Sequence, residues 1–340
     1  MEKCRRSVLL TGGGTGGHLA IVRSVKEELL KMGVEPYYIG STSGQDRVWF
    51  EDEEGFAKKL FLSSRGVVDK RGFSKAASLF RAVRSSLEAA RFMKEEKIEA
   101  VLSVGGFSAA PASFASVIRG IPLYIHEQNA VSGRLNKLLK PFAERFFSSY
   151  EEEYVDYPVR ECFFESARTR TEVKRVIFLG GSQGARAIND FALSVATGLD
   201  ERGIKIVHQC GGKEYGRVKM AYDKLGVEAD LFAFDKRLHE KIASADLAIS
   251  RAGASTLWEL AANRIPTLFV PYPYAAGDHQ YKNAMFLAKK GGAWVQRESS
   301  LRPKTLWDIV NSDIEKVSLN LEGAVKPGGA KRVAEALLSS

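Results

Sequence analysis

At 340 residues with 45% hydrophobic side chains, the chain exceeds one ordinary domain and can fill two cores of about 150 to 170 residues each. Its three cysteines, Cys4, Cys162 and Cys210, lie far apart with no Cys-x-x-Cys or Cys/His ligand spacing, so neither a disulfide framework nor a structural zinc site is suggested and a reducing compartment is expected. The net charge of +9 is shared by both halves, and no apolar run is long enough to span a bilayer, which leaves a cytosolic or peripheral membrane protein.

In the first half, apolar runs at Ser7 to Thr11, Tyr37 to Gly40, Leu60 to Ser63, Ala100 to Val104, Leu123 to His126 and Arg145 to Ser148 alternate with helical patterns. The second half repeats the rhythm at Arg175 to Leu179, Lys205 to Gln209, Asp230 to Phe234, Leu247 to Ser250, Thr267 to Val270 and Ala293 to Gln296. Such alternation predicts an α/β fold with a parallel sheet in each domain, covered by helices on both faces. Proline and charge interrupt the pattern near Tyr157-Pro158-Val159-Arg160, predicting domains at 1–160 and 161–327, with a last helix from Ala330 to Leu338 that could pack back on the first domain.

Each domain opens on a glycine-rich loop between its first strand and first helix, Gly12-Gly13-Gly14-Thr15-Gly16-Gly17-His18 and Gly180-Gly181-Ser182-Gln183-Gly184-Ala185-Arg186. Glycine there lets backbone amides at a helix start approach an anion, so the two loops are expected to frame a deep cleft for a phosphate-bearing substrate. Gly12, Gly14 and Gly17 also satisfy Gly-x-Gly-x-x-Gly, but the second strand ends Ile39-Gly40-Ser41-Thr42 without the acid that a dinucleotide site uses on the ribose; the acid nearest that strand, Glu35, precedes it. His18 falls in the first turn of a helix, where the dipole favours the neutral imidazole that a base requires; capping or packing is the alternative.

Further loops follow strand ends. Gly105-Gly106-Phe107-Ser108-Ala109-Ala110-Pro111 offers either amides or a tight packing turn, and His126-Glu127-Gln128-Asn129 places four polar groups at a strand terminus, with Asn129 favoured as a ligand contact and His126 a possible satisfied core histidine. Ser250-Arg251-Ala252-Gly253-Ala254-Ser255-Thr256-Leu257-Trp258-Glu259 runs into a helix whose start can hold phosphate or sugar, while Glu259 can accept two ribose hydroxyls; ordinary capping by Ser255 and Glu259 is the alternative. Asp278-His279-Gln280 adds polar groups in the next loop.

Taken together and in order, these motifs resemble the MurG family of peptidoglycan N-acetylglucosaminyltransferases over nearly the whole chain. The resemblance implies the glycosyltransferase B fold, two Rossmann-like domains with parallel sheets facing a cleft. The first domain (1–160, completed by 328–340) would bind the acceptor and membrane; the second (161–327) would bind UDP-N-acetylglucosamine. Carried over by motif, Thr15, Gly16, Gly17, Asn129, Arg160, Ser182, Gln183, Ala254, Ser255, Thr256, Leu257, Glu259 and Gln280 would contact the nucleotide sugar. Glu259 would take the ribose, and the backbone near Phe234 and Asp235 the uracil. The chain departs from the family in lacking a proline within Leu19 to Arg23, in Ala109 for serine, in Asp235 for an apolar residue and in Tyr157 for asparagine.

The implied reaction inverts the anomeric centre: the C4 hydroxyl of N-acetylmuramate in lipid I (undecaprenyl-pyrophosphoryl-N-acetylmuramoyl-pentapeptide) attacks the sugar C1, UDP leaves and lipid II forms for cell-wall biogenesis, cell shape and division. His18 is the candidate base, and with no Asp-x-Asp cluster a metal-free, cofactor-free reaction is expected. From Lys58 to Arg84, eight cations (Lys58, Lys59, Arg65, Lys70, Arg71, Lys75, Arg81, Arg84) against Asp69, with Phe73, Leu79 and Phe80 among them, predict docking on anionic lipid at the cytoplasmic face of the membrane. On the alternative, Leu79, Val83 and Leu87 form the core stripe of an ordinary amphipathic helix. A UDP-N-acetylglucosamine 2-epimerase of the same fold is the rival enzyme; a nucleic-acid-binding module would need aromatic residues interleaved with cations over a longer surface.

Overall fold

In the computed structural model the described residues are 6–63, 73–151, 156–181 and 184–339, with side chains described throughout except at 73–80. The chain divides into two compact units, Met1–Pro158 with Gly328–Ser340, and Val159–Pro327.

The first unit contains β1 (Val8–Thr11), α1 (Gly16–Lys31), β2 (Tyr37–Ser41), α2 (Asp46–Phe50), β3 (Lys59–Leu62), α3 (Phe73–Glu95), β4 (Ala100–Ser103), α4 (Ala110–Arg119), β5 (Leu123–Glu127), α5 (Arg134–Leu139) and β6 (Arg145–Ser148). The strands form one sheet in the order β3-β2-β1-β4-β5-β6, and every neighbouring pair is parallel. Strands buried on both faces cannot alternate apolar with polar residues, which is why β1 and β4 are continuous buried runs. Leu9, Ile39, Val101, Leu123 and Ile125 from four of the strands pack with Phe92 and Met93 of α3 and Ala112 and Ala115 of α4.

The outward face of α3 differs from the expected one. Its core stripe is Ser85, Ala89, Phe92 and Met93, while Val83 and Leu87 are 52% and 67% exposed. At about 100° per residue, positions 83 and 87 lie roughly opposite 85 and 89, so they cannot share the core face.

The second unit contains α6 (Glu161–Glu165), β7 (Arg175–Leu179), α7 (Arg186–Asp200), β8 (Lys205–Gln209), α8 (Tyr215–Leu225), β9 (Ala229–Phe232), α9 (Leu238–Ser244), β10 (Leu247–Ser250), α10 (Ala254–Ala262), β11 (Thr267–Phe269), α11 (His279–Ala288), β12 (Ala293–Val295), α12 (Pro303–Val310) and α13 (Ile314–Asn320). Its sheet runs β12-β11-β10-β7-β8-β9, again wholly parallel. Helix α7 buries Ile188, Phe191, Ala192, Val195 and Leu199, the spacing of one helical face, against Val176 and Phe178 of β7. The edge strand β9 stops two residues short of the expected Phe234, where Asp235 accepts the Arg237 amide at 2.8 Å and turns the chain.

After α13 the chain returns to the first unit as α14 (Gly329–Leu338), which packs against α1. Arg6 donates to the Leu337 carbonyl at 2.9 Å, and Arg332 pairs with Asp156. Among the described residues no helix is long and apolar enough to cross a membrane.

Strand order reverses direction between β1 and β4 in one unit and between β7 and β10 in the other. Crossovers leave such a point toward opposite faces of the sheet, so the loops after those strands part and leave a crevice at the strand C-termini. All four of the glycine and small-residue loops singled out in the sequence after these strands sit there.

Candidate active site

In the first unit, the turn after β1 delivers Thr15 to the N-cap of α1, with Gly16 and Gly17 as its first helical residues and His18 behind them. Thr15 is exposed, and its hydroxyl lies 2.8 Å from His18 Nδ1. In the tautomer whose Nδ1–H donates to that hydroxyl oxygen, Nε2 carries the lone pair that proton abstraction needs. The loop after β4 presses against this one: a Cβ on Gly106 would fall 2.5 Å from the Gly13 carbonyl oxygen and 3.5 Å from His18 Cε1. That is the tight packing turn, and it supports His18 from beneath.

An acid that the sequence reading passed over shapes the same turn. Asp46 lies beyond the end of β2, fully buried, and accepts the Gly14 amide at 2.6 Å and the Ser41 amide at 2.9 Å, with the Tyr38 hydroxyl at 3.2 Å. It is not the ribose-binding acid of a dinucleotide site, because its oxygens are spent on the loop itself.

Beside it, β5 ends in His126-Glu127. Glu127 is buried and accepts the amides of Asn129 (3.0 Å) and Gly133 (2.8 Å) and the Asn136 side chain (2.9 Å). It thereby fixes the loop that carries Asn129, a role the sequence alone did not assign. His126 is a core histidine but not a satisfied one. It is fully buried against the Tyr157 ring, with neither ring nitrogen hydrogen-bonded, and burial, then the charge of His18, lowers its pKa to about 3. A group held neutral so firmly is a poor proton acceptor.

In the second unit, the turn after β7 closes on uncharged groups. Gly180 donates to the Gln209 carbonyl (3.1 Å) and Gly184 to Gly181 (3.0 Å), while Gly184, at φ +79°, stands where a Cβ would meet the Cys210 carbonyl oxygen at 2.4 Å. Behind it, Asn189 donates to that same Cys210 carbonyl (3.1 Å) and its oxygen lies 3.0 Å from His208 Nε2; His208 Nδ1 lies 3.0 Å from the Tyr222 hydroxyl. Ser182 and Gln183 lie outside the described residues.

Helix α10 begins the second half of this site. Its N-cap is Gly253, which has no side chain to bond the first-turn amides, so the capping alternative for Ser255 and Glu259 does not hold. Ala254 and Ser255 are buried, Thr256 is half-buried, and Leu257 is fully buried with its amide donating to Gly253 at 2.9 Å; Leu257 anchors the helix rather than presenting a side chain. One turn on, burial raises the Glu259 pKa to about 7, opposed by the nearby positive Arg160. Arg160 is the N-cap residue of α6, which packs on α10. Arg251 ties the following loop down through the Val270 carbonyl (3.0 Å) and Glu298 (2.7 Å), and the Gln280 side-chain oxygen accepts the Tyr272 amide at 2.9 Å. Phe234 is 51% exposed beyond β9, beside Asp235.

Comparison with known proteins agrees with this division. Residues 8–148 match the glycosyltransferase family 28 N-terminal domain, and residues 175–333 match the glycosyltransferase family 28 C-terminal domain. The chain is 52% identical over 335 residues to the UDP-N-acetylglucosamine--N-acetylmuramyl-(pentapeptide) pyrophosphoryl-undecaprenol N-acetylglucosamine transferase of Wolinella succinogenes, covering 98% of this chain and 100% of that protein. It is 50% identical over 325 residues to the enzyme of the same name from Campylobacter jejuni subsp. jejuni, covering 95% of each. Among solved structures, Acinetobacter baumannii MurG matches with a TM-score of 0.78 at 24% identity, covering 99% of this chain and 100% of that one. The fold is the glycosyltransferase B fold of two Rossmann-like units, and the chain belongs to the MurG family of glycosyltransferase family 28.

Proposed function

We propose that the chain transfers N-acetylglucosamine from UDP-N-acetylglucosamine to the C4 hydroxyl of N-acetylmuramate in lipid I, forming lipid II for peptidoglycan synthesis. The observation that carries this is its 52% identity, end to end, with a transferase named for that donor and acceptor. The same likeness disfavours the 2-epimerase reading.

The second unit takes the donor: Glu259 the ribose, the α10 start and the Gly180 turn with Ser182 and Gln183 the diphosphate, the backbone at Phe234 and Asp235 the uracil, with Arg160 and Gln280 alongside. The first unit takes the acceptor, with Thr15, Gly16, Gly17 and Asn129 reaching the sugar. His18 Nε2 accepts the C4 hydroxyl proton as that oxygen bonds to C1 and the C1–O bond to UDP breaks with inversion; helix-start amides stabilise the charge gathering on the diphosphate. A radiolabel transfer assay with a lipid I analogue tests this. His18→Ala should lower kcat by about 100-fold or more while the Kd for UDP moves little; unchanged turnover would remove His18 from the role.

The acceptor's lipid tail requires the enzyme to work at a membrane surface, as a peripheral protein on its cytoplasmic face. Val83 and Leu87 on α3 and Ile118 (79% exposed) on the packed helix α4 are open apolar groups, and Arg81, Arg84, Arg91 and Arg119 on the same two helices are exposed. Cations flanking apolar side chains suit anionic lipid, each contributing up to about 1 kcal/mol. Of the eight cations in the basic segment, Lys58 is paired with Glu96 and Lys59 with the Glu51 and Glu53 carbonyls. Arg65, Asp69, Lys70 and Arg71 lie outside the described residues, as do the side chains of Phe73, Lys75, Leu79 and Phe80. Co-sedimentation with phosphatidylglycerol vesicles should fall sharply when Arg81, Arg84 and Arg119 are made acidic; undiminished binding refutes the patch.

A further inference from the structure

We propose that Asp46 is a built-in anchor that fills the glycine turn of the first unit and holds the Thr15–His18 pair in position. This deepens the reading of His18 as the base and rests on it.

A buried carboxylate is tolerated only when donors surround it. Asp46, fully buried, has two backbone donors from separate segments, Gly14 at 2.6 Å on Oδ2 and Ser41 at 2.9 Å on Oδ1, with the Tyr38 hydroxyl at 3.2 Å. That hydroxyl also lies 3.0 Å from the Gly12 carbonyl oxygen and has one proton to share, so the two amides are the fixed contacts. The turn is moulded to this side chain. A Cβ on Gly13 would fall 2.3 Å from Asp46 Oδ1, and one on Gly44 would fall 2.8 Å from Gly14 Cα.

The amide of Gly14, which in a phosphate-binding turn would point at the ligand, is already taken by the Asp46 side chain. Gly14 also precedes the Thr15 N-cap directly, so pinning its amide sets where α1 begins and hence where the Thr15 hydroxyl holds His18 Nδ1. Asp46 is therefore a positioning residue that acts through His18 without touching substrate.

Asp46→Asn is the test, because it keeps the shape but turns one oxygen into a donor facing donors. With UDP-N-acetylglucosamine and a lipid I analogue, kcat should fall about ten-fold or more while the calorimetric Kd for UDP changes by less than about two-fold. In protein labelled with 15N-histidine, the ring nitrogen shifts of His18 should move, reporting altered tautomer populations. Turnover within about two-fold of the parent, or UDP affinity falling in step with turnover, overturns the positioning role. Should Asp46→Asn not fold, Gly13→Ala carries the same predictions, because its methyl displaces the carboxylate without altering its chemistry. If His18→Ala keeps full turnover, the base assignment has failed, and the His18 ring shifts alone then decide whether Asp46 positions it: unmoved shifts overturn the proposal.

Discussion

The two units share strand order and a glycine turn after the first strand, yet the turns are finished in opposite ways. In the first unit the turn closes over the carboxylate of Asp46, and nearby His126 is buried with no polar partner. In the second, Gly180 and Gly184 close on carbonyl groups, and the buried His208 is bonded on both ring nitrogens, to Asn189 and Tyr222. One topology thus provides a crevice, and a few buried groups decide how its loops are held. The first turn is fixed from within by a side-chain carboxylate, the second by backbone carbonyls and the Asn189 side chain behind it.

The sharpest way to break this contrast is to look for nucleotide affinity in the wrong unit. Glu259→Ala should weaken UDP binding by about 10- to 100-fold, the worth of hydrogen bonds to a charged group. Calorimetry that finds the loss in Asp46→Asn instead would reverse the division of labour. Next in size, Asn189→Ala strips His208 and the Cys210 carbonyl of a partner at once and should cost about 1 to 3 kcal/mol of stability, read from the urea midpoint. The donor KM should rise with it, since Cys210 backs the Gly184 turn.

The pH dependence separates the units differently. Folded His126 and His208 have pKa values lowered to about 3, against 6.5 for a free imidazole. Between those values the unfolded chain binds more protons, so stability is fully present above about pH 6.5 and is lost as pH falls through the window. His208→Gln should flatten the slope of denaturation midpoint against pH by roughly one proton's worth, leaving the share due to His126. Glu259 has the opposite sign: its raised pKa of about 7 means the folded state holds the extra proton from the ordinary 4.5 upward, so its stability contribution is lost as pH rises through 7. Its carboxylate, better able to accept two ribose hydroxyls, predominates above that pH, and donor KM should therefore fall as pH rises past 7, a dependence absent in Glu259→Gln. Smallest of all, Arg217→Ala removes exposed ion pairs to Asp190 (2.8 Å) and Glu214 (2.6 Å) and should cost less than about 1 kcal/mol in the same urea titration.

Much of the fold was legible because doubly covered parallel strands are continuous apolar runs stopped by glycine turns, a signal that local sequence carries fully. All twelve expected strands occur, and only β9 ends two residues early, at an edge where an aspartate turn competes with pairing. The loops were legible for the same reason. Their supports were not. Asp46 reads as an ordinary loop acid, because nothing near it in sequence shows that it reaches back 32 residues to Gly14. Glu127 stood inside a visible motif, but its work on Gly133 and Asn136 depends on how the loop folds round it. On α3, Val83 and Leu87 have helical spacing, yet spacing alone does not say which face meets the sheet; Phe92 and Met93 settle that by bulk.

The return of α14 to α1 makes the second unit an insertion within the first. On the ribosome, Val159–Pro327 can therefore finish folding while the earlier unit still waits for its last helix, inverting the usual order in which the leading domain matures first. Until Gly329–Leu338 emerges, the apolar side of α1 stays open to water, so a nascent chain stalled just short of that point should be the species most in need of a chaperone.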